Sequence, residues 1–174
     1  MSEGKTLQLI RDGKLVDDEW VIVQVDGVLP APTGAPTLFP LSVWLERRSE
    51  LLAEKTATGN LIGVWLAPTD EPSVLAADLA TLDLIAVHFP KFTDGRGYSS
   101  ASLLRQRYGY TGELRAFGDV GRDQLFYLAR VGFDSFLISE GRDAAAALSA
   151  FDDFPEVYQS ANDQALPLFR RRMA

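Results

Sequence analysis

Two glycine-bearing stretches hold most of the side chains in this sequence that could bind an anion or move a proton. The first is Phe89-Pro-Lys-Phe-Thr-Asp-Gly-Arg-Gly-Tyr-Ser99. Gly95 and Gly97 allow close backbone approach to a ligand, and N–H groups near a helix start can cradle an anion. Lys91 and Arg96 add charge, Arg96 as a planar two-pronged donor. Asp94 can orient Arg96 or act as a base, and Tyr98 can stack on a ligand. The second stretch is Gly118-Asp-Val-Gly-Arg-Asp-Gln124. Asp119 is placed as a strand-end carboxylate or as a helix N-cap. Arg122 falls in a first helical turn, the unfavourable end of the dipole for a cation. An external anion, or Asp119 or Asp123, would answer that charge.

Arg115 and Glu113 share one strand face and read first as a structural ion pair. The expected ligand-binding set is Lys91, Asp94, Arg96, Tyr98, Arg115, Asp119 and Arg122. An enzyme built on the same loops would use Lys91 as electrophile or base, with Asp94 or Asp119 as acid or base. His88, the only histidine, lies inside an apolar strand and reads as a core or interface residue rather than a general base.

The elements that must position these residues have a regular pattern. Residues 6–25 read as a β-hairpin, with Thr6–Ile10 and Leu15–Val25 flanking Arg-Asp-Gly-Lys. Asp26–Pro40, rich in proline and glycine, reads as an extended connector, and Leu41–Glu54 as a helix. Short strands follow at Leu61–Leu66, Leu84–Phe89, Glu113–Gly118 and Phe133–Ile138, the first two of them apolar. Helices are expected from Pro72 to Ala80, from Ser99 or Ser100 to Tyr108, over Arg122–Val131 and over Asp143–Phe154. This spacing predicts four consecutive parallel β-α units preceded by an N-terminal hairpin. A half TIM-barrel and an open three-layer sheet both fit. The polar alternation Glu113, Arg115, Phe117, Asp119 favours the concave face of a barrel. The expected divisions are 1–40 for hairpin and connector, 41–160 for the α/β domain and 161–174 for a tail. A half-barrel leaves two open strand edges, which the hairpin or a second subunit must cover, so a homodimer is expected. In either architecture ligands bind at the C-terminal ends of the strands, where both glycine-bearing loops fall.

Composition narrows the function. The chain has 174 residues, 47% of them hydrophobic, enough for one domain with a sizeable core. There is no cysteine, so disulfides, thiolate zinc sites and cysteine-ligated clusters are excluded. No cofactor or metal is expected: there is one histidine, the acids are scattered, and neither a G-x-G-x-x-G after a strand nor a Walker A motif occurs. A net charge of −7 argues against nucleic-acid binding. Residues 91–130 nevertheless carry +3 against −10 for the remainder, a basic middle that suggests an anion site. No apolar run reaches the roughly 20 residues of a membrane span, and the N-terminus shows no secretory segment. A cytoplasmic protein is expected.

Phe89-Pro-Lys-Phe-Thr-Asp-Gly-Arg-Gly-Tyr-Ser99, Arg107-Tyr-Gly-Tyr-Thr-Gly-Glu-Leu-Arg-Ala116, Gly118-Asp-Val-Gly-Arg-Asp-Gln124 and Gly132-Phe-Asp134 together resemble the bacterial DUF934 family over roughly residues 40–140. Its members carry the label of oxidoreductases involved in sulfite reduction, through association with assimilatory sulfite and sulfate reduction genes. Six-electron sulfite reduction needs cofactors such as sirohaem, iron–sulfur clusters or flavin, and this sequence has no cysteine. The resemblance therefore implies an accessory or anion-binding protein of sulfite and sulfate reduction, not a self-contained reductase. Its partner would be a sulfur oxyanion, a nucleotide sulfate or sulfite reductase components. The alternatives are an enzyme acting on a small anionic substrate at the strand ends, and a structural partner of the reductase complex.

Overall fold

The computed structural model describes residues 7–24 and 34–173. It begins with the expected hairpin. β1 (Gln8–Arg11) and β2 (Lys14–Val16) pair antiparallel around Asp12 and Gly13. Both turn residues take left-handed φ values, +51° and +71°, the geometry that matches the twist of tight hairpins. The strand expected over Leu15–Val25 is broken by Asp17-Asp18-Glu19, three poor strand formers. Its second half is β3 (Val21–Ile22), which leaves the hairpin altogether.

Next come β4 (Thr37–Pro40), α1 (Leu41–Thr58), β5 (Ile62–Leu66) and a 3-10 turn at Pro72–Leu75. β6 (Leu84–Phe89), α2 (Arg96–Ser102), β7 (Glu113–Gly118), α3 (Arg122–Val131) and β8 (Ser135–Ile138) follow. The chain closes with α4 (Ala144–Ala147), a 3-10 turn at Leu148–Asp152 and α5 (Leu168–Arg171). Strand β4 falls where an extended connector was expected; the earlier part of that connector, residues 26–33, lies outside the described residues.

All eight strands belong to one sheet, in the order β2-β1-β8-β7-β6-β5-β4-β3. From β3 to β8 every neighbouring pair is parallel and consecutive, six strands where four were expected. Consecutive right-handed crossovers place the helices on one face of the sheet. The larger core lies there, joining Ile85, Val87, Leu114, Ala116 and Phe136 to Leu75, Leu104, Leu125 and Leu128. The opposite face carries a separate core of Leu9, Leu38, Trp65, Leu84, Ala86, Phe117 and Leu137.

The sheet is curled into a half-barrel, and its connectivity requires the curl. Eight strands laid flat would set the outermost pair roughly 34 Å apart at about 4.8 Å per strand. β2 and β3 are those outermost strands, and the chain from Val16 to Val21 reaches at most about 18 Å. Residues 17–20 therefore form a short strap between the two ends of the sheet. The edges of the β4–β8 core are covered from within the chain, by β1 on β8 and β3 on β4.

Candidate functional site

Inward-facing side chains of β6, β7 and β8 stack in layers because neighbouring strands share register. In the lowest layer Leu84 lies beside Glu113, in the middle one Ala86 lies beside Arg115, and in the top one His88 lies beside Phe117. Ser135 pairs with Arg115 from β8. Small neighbours at Ala86 and Ser135 leave room for the guanidinium, which is fully buried. Arg115 donates from Nη2 to Glu113 Oε1 at 2.9 Å and from Nη1 to Asp18 Oδ1, in the strap, at 2.9 Å. Its Nε reaches Ser135 Oγ at 3.2 Å. Arg11 adds a second cation to Glu113 at 3.6 Å. This network fills the N-terminal end of the interior, where residues serve stability.

The C-terminal end is open among the described residues. There a cavity of about 270 Å³ is walled by Trp65, His88, Phe117, Leu137 and Ile22, with Gln24 and Glu140 also lining it. The rings are packed on one another: Trp65 meets Phe117 edge-on at 5.8 Å and His88 at 5.7 Å, and His88 lies 4.9 Å from Phe117. Trp65 Nε1 donates to the Val23 carbonyl at 2.9 Å, which anchors the end of β3 to the interior. Gly118 permits this arrangement. Its φ is +102°, and a Cβ there would lie 2.3 Å from the Phe89 carbonyl oxygen and 2.8 Å from His88 Cδ2. Ser139 Oγ closes the end of β7, donating to the Gly118 carbonyl at 2.7 Å and accepting from Val120 N–H at 2.9 Å.

His88 makes no hydrogen bond among the described residues, and neither do the Gln24 and Glu140 side chains at the rim. Burial lowers the His88 pKa from the ordinary value, so the imidazole is neutral at pH 7, with one ring nitrogen a donor and the other an acceptor. Its facing was readable from the alternation Leu84, Ala86, His88. Its partners were not, because Trp65, Phe117 and Leu137 come from three other strands. Sequence reasoning therefore placed His88 in the core and missed the cavity.

The two glycine-bearing loops do meet. Asp119 N–H donates to the Phe89 carbonyl at 2.6 Å, and Asp119 Oδ2 accepts from Phe92 N–H at 2.9 Å. Gln124 Nε2 reaches the Phe92 carbonyl at 3.4 Å. Asp119 does not cap α3. Gly121 holds that position, with its N–H bonded to Gln124 Oε1 at 3.0 Å.

Most of the expected anion-binding cations are turned toward acids of the chain itself. Arg96 grips Asp94 at 3.0 and 2.7 Å, and with the Arg96 N–H holds that carboxyl down at about 2. Arg122 forks onto Asp153 at 2.7 and 3.1 Å. Arg115 lies about 13 Å along β7 from Asp119, inside the sheet. Tyr98 packs edge-on against Phe89 at 5.7 Å, and its hydroxyl is pushed up by burial and then by Asp123. Lys91 is exposed and makes no ion pair among the described residues. No three Asp, Glu or His side chains gather as metal ligands among the described residues, and none of the described helices is long and apolar enough to cross a membrane.

Residues 63–169 match the model of a family described as bacterial protein of unknown function, DUF934. No curated protein matches the chain.

Proposed function

The chain belongs to the DUF934 family, and from that premise we propose that it is an accessory ligand-binding protein of sulfite and sulfate reduction, not a self-contained reductase. The association with sulfur reduction comes from the family resemblance. The binding role is supported by one observation above the others: a cavity with a single unpartnered imidazole at the C-terminal ends of the parallel strands. That end of a β/α sheet is where its ligands bind. A chain without cysteine supplies no thiolate for an electron-carrying cluster.

Deleting the gene tests the reading. Growth on sulfate or sulfite should fail while growth on cysteine continues. Wild-type protein should restore growth, and His88→Phe, which keeps the ring volume but removes the lone pair, should not. Full rescue by His88→Phe would refute the cavity as the site; normal growth of the deletion strain on sulfate would refute the sulfur role.

A docking role on the reductase complex has its own support. Phe92 is 52% exposed beside a groove of about 500 Å³ that Arg122, Arg142, Ala146 and Ala147 also line. An exposed aromatic ring flanked by arginines has the composition of an interface hot spot. Phe92→Asp should then abolish co-purification of the reductase while leaving the melting temperature unchanged.

A further inference from the structure

The cavity at the strand ends has a charge pattern that does not match an anion. Among its described lining residues there is no lysine or arginine; the charged side chain is Glu140, and the titratable group beside it in the lining is the neutral His88. The adjoining cavity, of about 320 Å³, contains Arg142. That arginine already donates to Asp119 at 2.8 Å. An oxyanion entering against His88 would find one neutral N–H donor, with Glu140 lining the same cavity and no cation supplied by the described walls. An ammonium meets the reverse situation. The unprotonated imidazole nitrogen can accept its N–H, Glu140 lines the same cavity, and the rings of Trp65 and Phe117 offer an apolar body a wall to pack against. Aromatic rings also attract cations directly.

We propose that the mouth of the curled sheet binds a small organic cation, a protonated amine on an apolar body, held between His88 and Glu140 against Trp65 and Phe117. The volume of about 270 Å³ suits a ligand smaller than a typical drug molecule. The proposal rests on the reading of this cavity as the ligand site and names the class of ligand that it takes.

The chain has one histidine, so its imidazole resonances report on this cavity without ambiguity. Benzylammonium, benzyl alcohol and benzoate present one ring with three charges. Each is titrated into the full chain at pH 7.5, alongside sulfite, with the His88 ring signals followed by NMR. Benzylammonium should shift those signals and bind at least about fivefold more tightly than benzoate, the scale of one partly exposed charge pair. Glu140→Gln, at an exposed position, should bring that ratio toward one. Equal or tighter binding of benzoate or sulfite would overturn the cation while leaving the cavity as a ligand site. An unchanged ratio in Glu140→Gln would also overturn it. If none of the four compounds moves the His88 signals, the cavity is not the ligand site, and the reading beneath the proposal fails with it.

Discussion

A guanidinium with no solvent contact lies between two carboxylates and a hydroxyl at Arg115. Removing one partner of such a network leaves buried charge without compensation, at about 3–5 kcal/mol. Arg115→Met keeps the side-chain length but strands Asp18 and leaves Glu113 with Arg11 alone, at 3.6 Å. It is expected to lower unfolding free energy by about that amount in urea denaturation. Adding Glu113→Gln and Asp18→Asn should recover much of the loss, since a charge-free interior of similar volume has nothing left to compensate. The arginines of the outer loops differ in kind. Arg96 and Arg122 are about half exposed beside their acids, where such pairs contribute roughly 0–1 kcal/mol. They set loop geometry more than stability. The sequence separations explain why these roles were only partly legible. Glu113 is two residues from Arg115, and that pair was expected from the alternation of one strand. Asp18 is 97 residues away and Asp153 is 31 residues from Arg122, distances at which no local pattern operates.

Among the elements, the end of β7 has the tightest geometry. Gly118→Ala adds a Cβ that must contact backbone, the Phe89 carbonyl, at a φ that L side chains rarely adopt. A loss of about 1–3 kcal/mol is expected from the strained backbone alone, measured as a lowered melting temperature. His88 should broaden in the same variant, because the new atom also approaches its ring. Strands β5, β6 and β8 were legible as short apolar runs, and β7 by its two-residue alternation, each between turn residues. β3 was not, since two residues carry no period and their place is fixed by pairing Val21 with Thr37 and Ile22 with Leu38. The helix expected after Pro72 is a 3-10 turn followed by further turns. Asp78 redirects the chain there: its carboxylate accepts from Trp44 Nε1 at 2.9 Å and from Arg48, and its carbonyl accepts from Thr81 N–H at 2.8 Å. The cavity was illegible for a related reason. Alternation shows which residues face inward, but only the curl brings the inward residues of β5, β6, β7 and β8 to a common point.

At the scale of the whole molecule, the strap from residue 17 to residue 20 sets how far the sheet can open. It is short, and Asp18 ties it to Arg115 at 2.9 Å. Inserting six Gly/Ser residues after Glu19 lengthens the tether without touching a strand. Faster amide hydrogen exchange is expected in β2 and β3, the outermost strands, with little change in β6 and β7, which are paired on both sides. Uniform acceleration throughout would show that the strap holds the entire sheet. The pairing of β1 with β8 has a separate consequence, for how the protein is made. Gln8 lies opposite Ile138 and Arg11 opposite Ser135, so β1, paired early with β2, meets its second neighbour only once strands β3 to β7 have been made. Until then Leu9, on the inward face of β1, has only Val16 of the hairpin beside it. Contacts this distant in sequence slow folding, and the early hairpin must remain soluble while it waits. The charged and turn-forming residues Arg11, Asp12, Lys14, Asp17, Asp18 and Glu19 that crowd this otherwise apolar segment suit a strand held in reserve during translation.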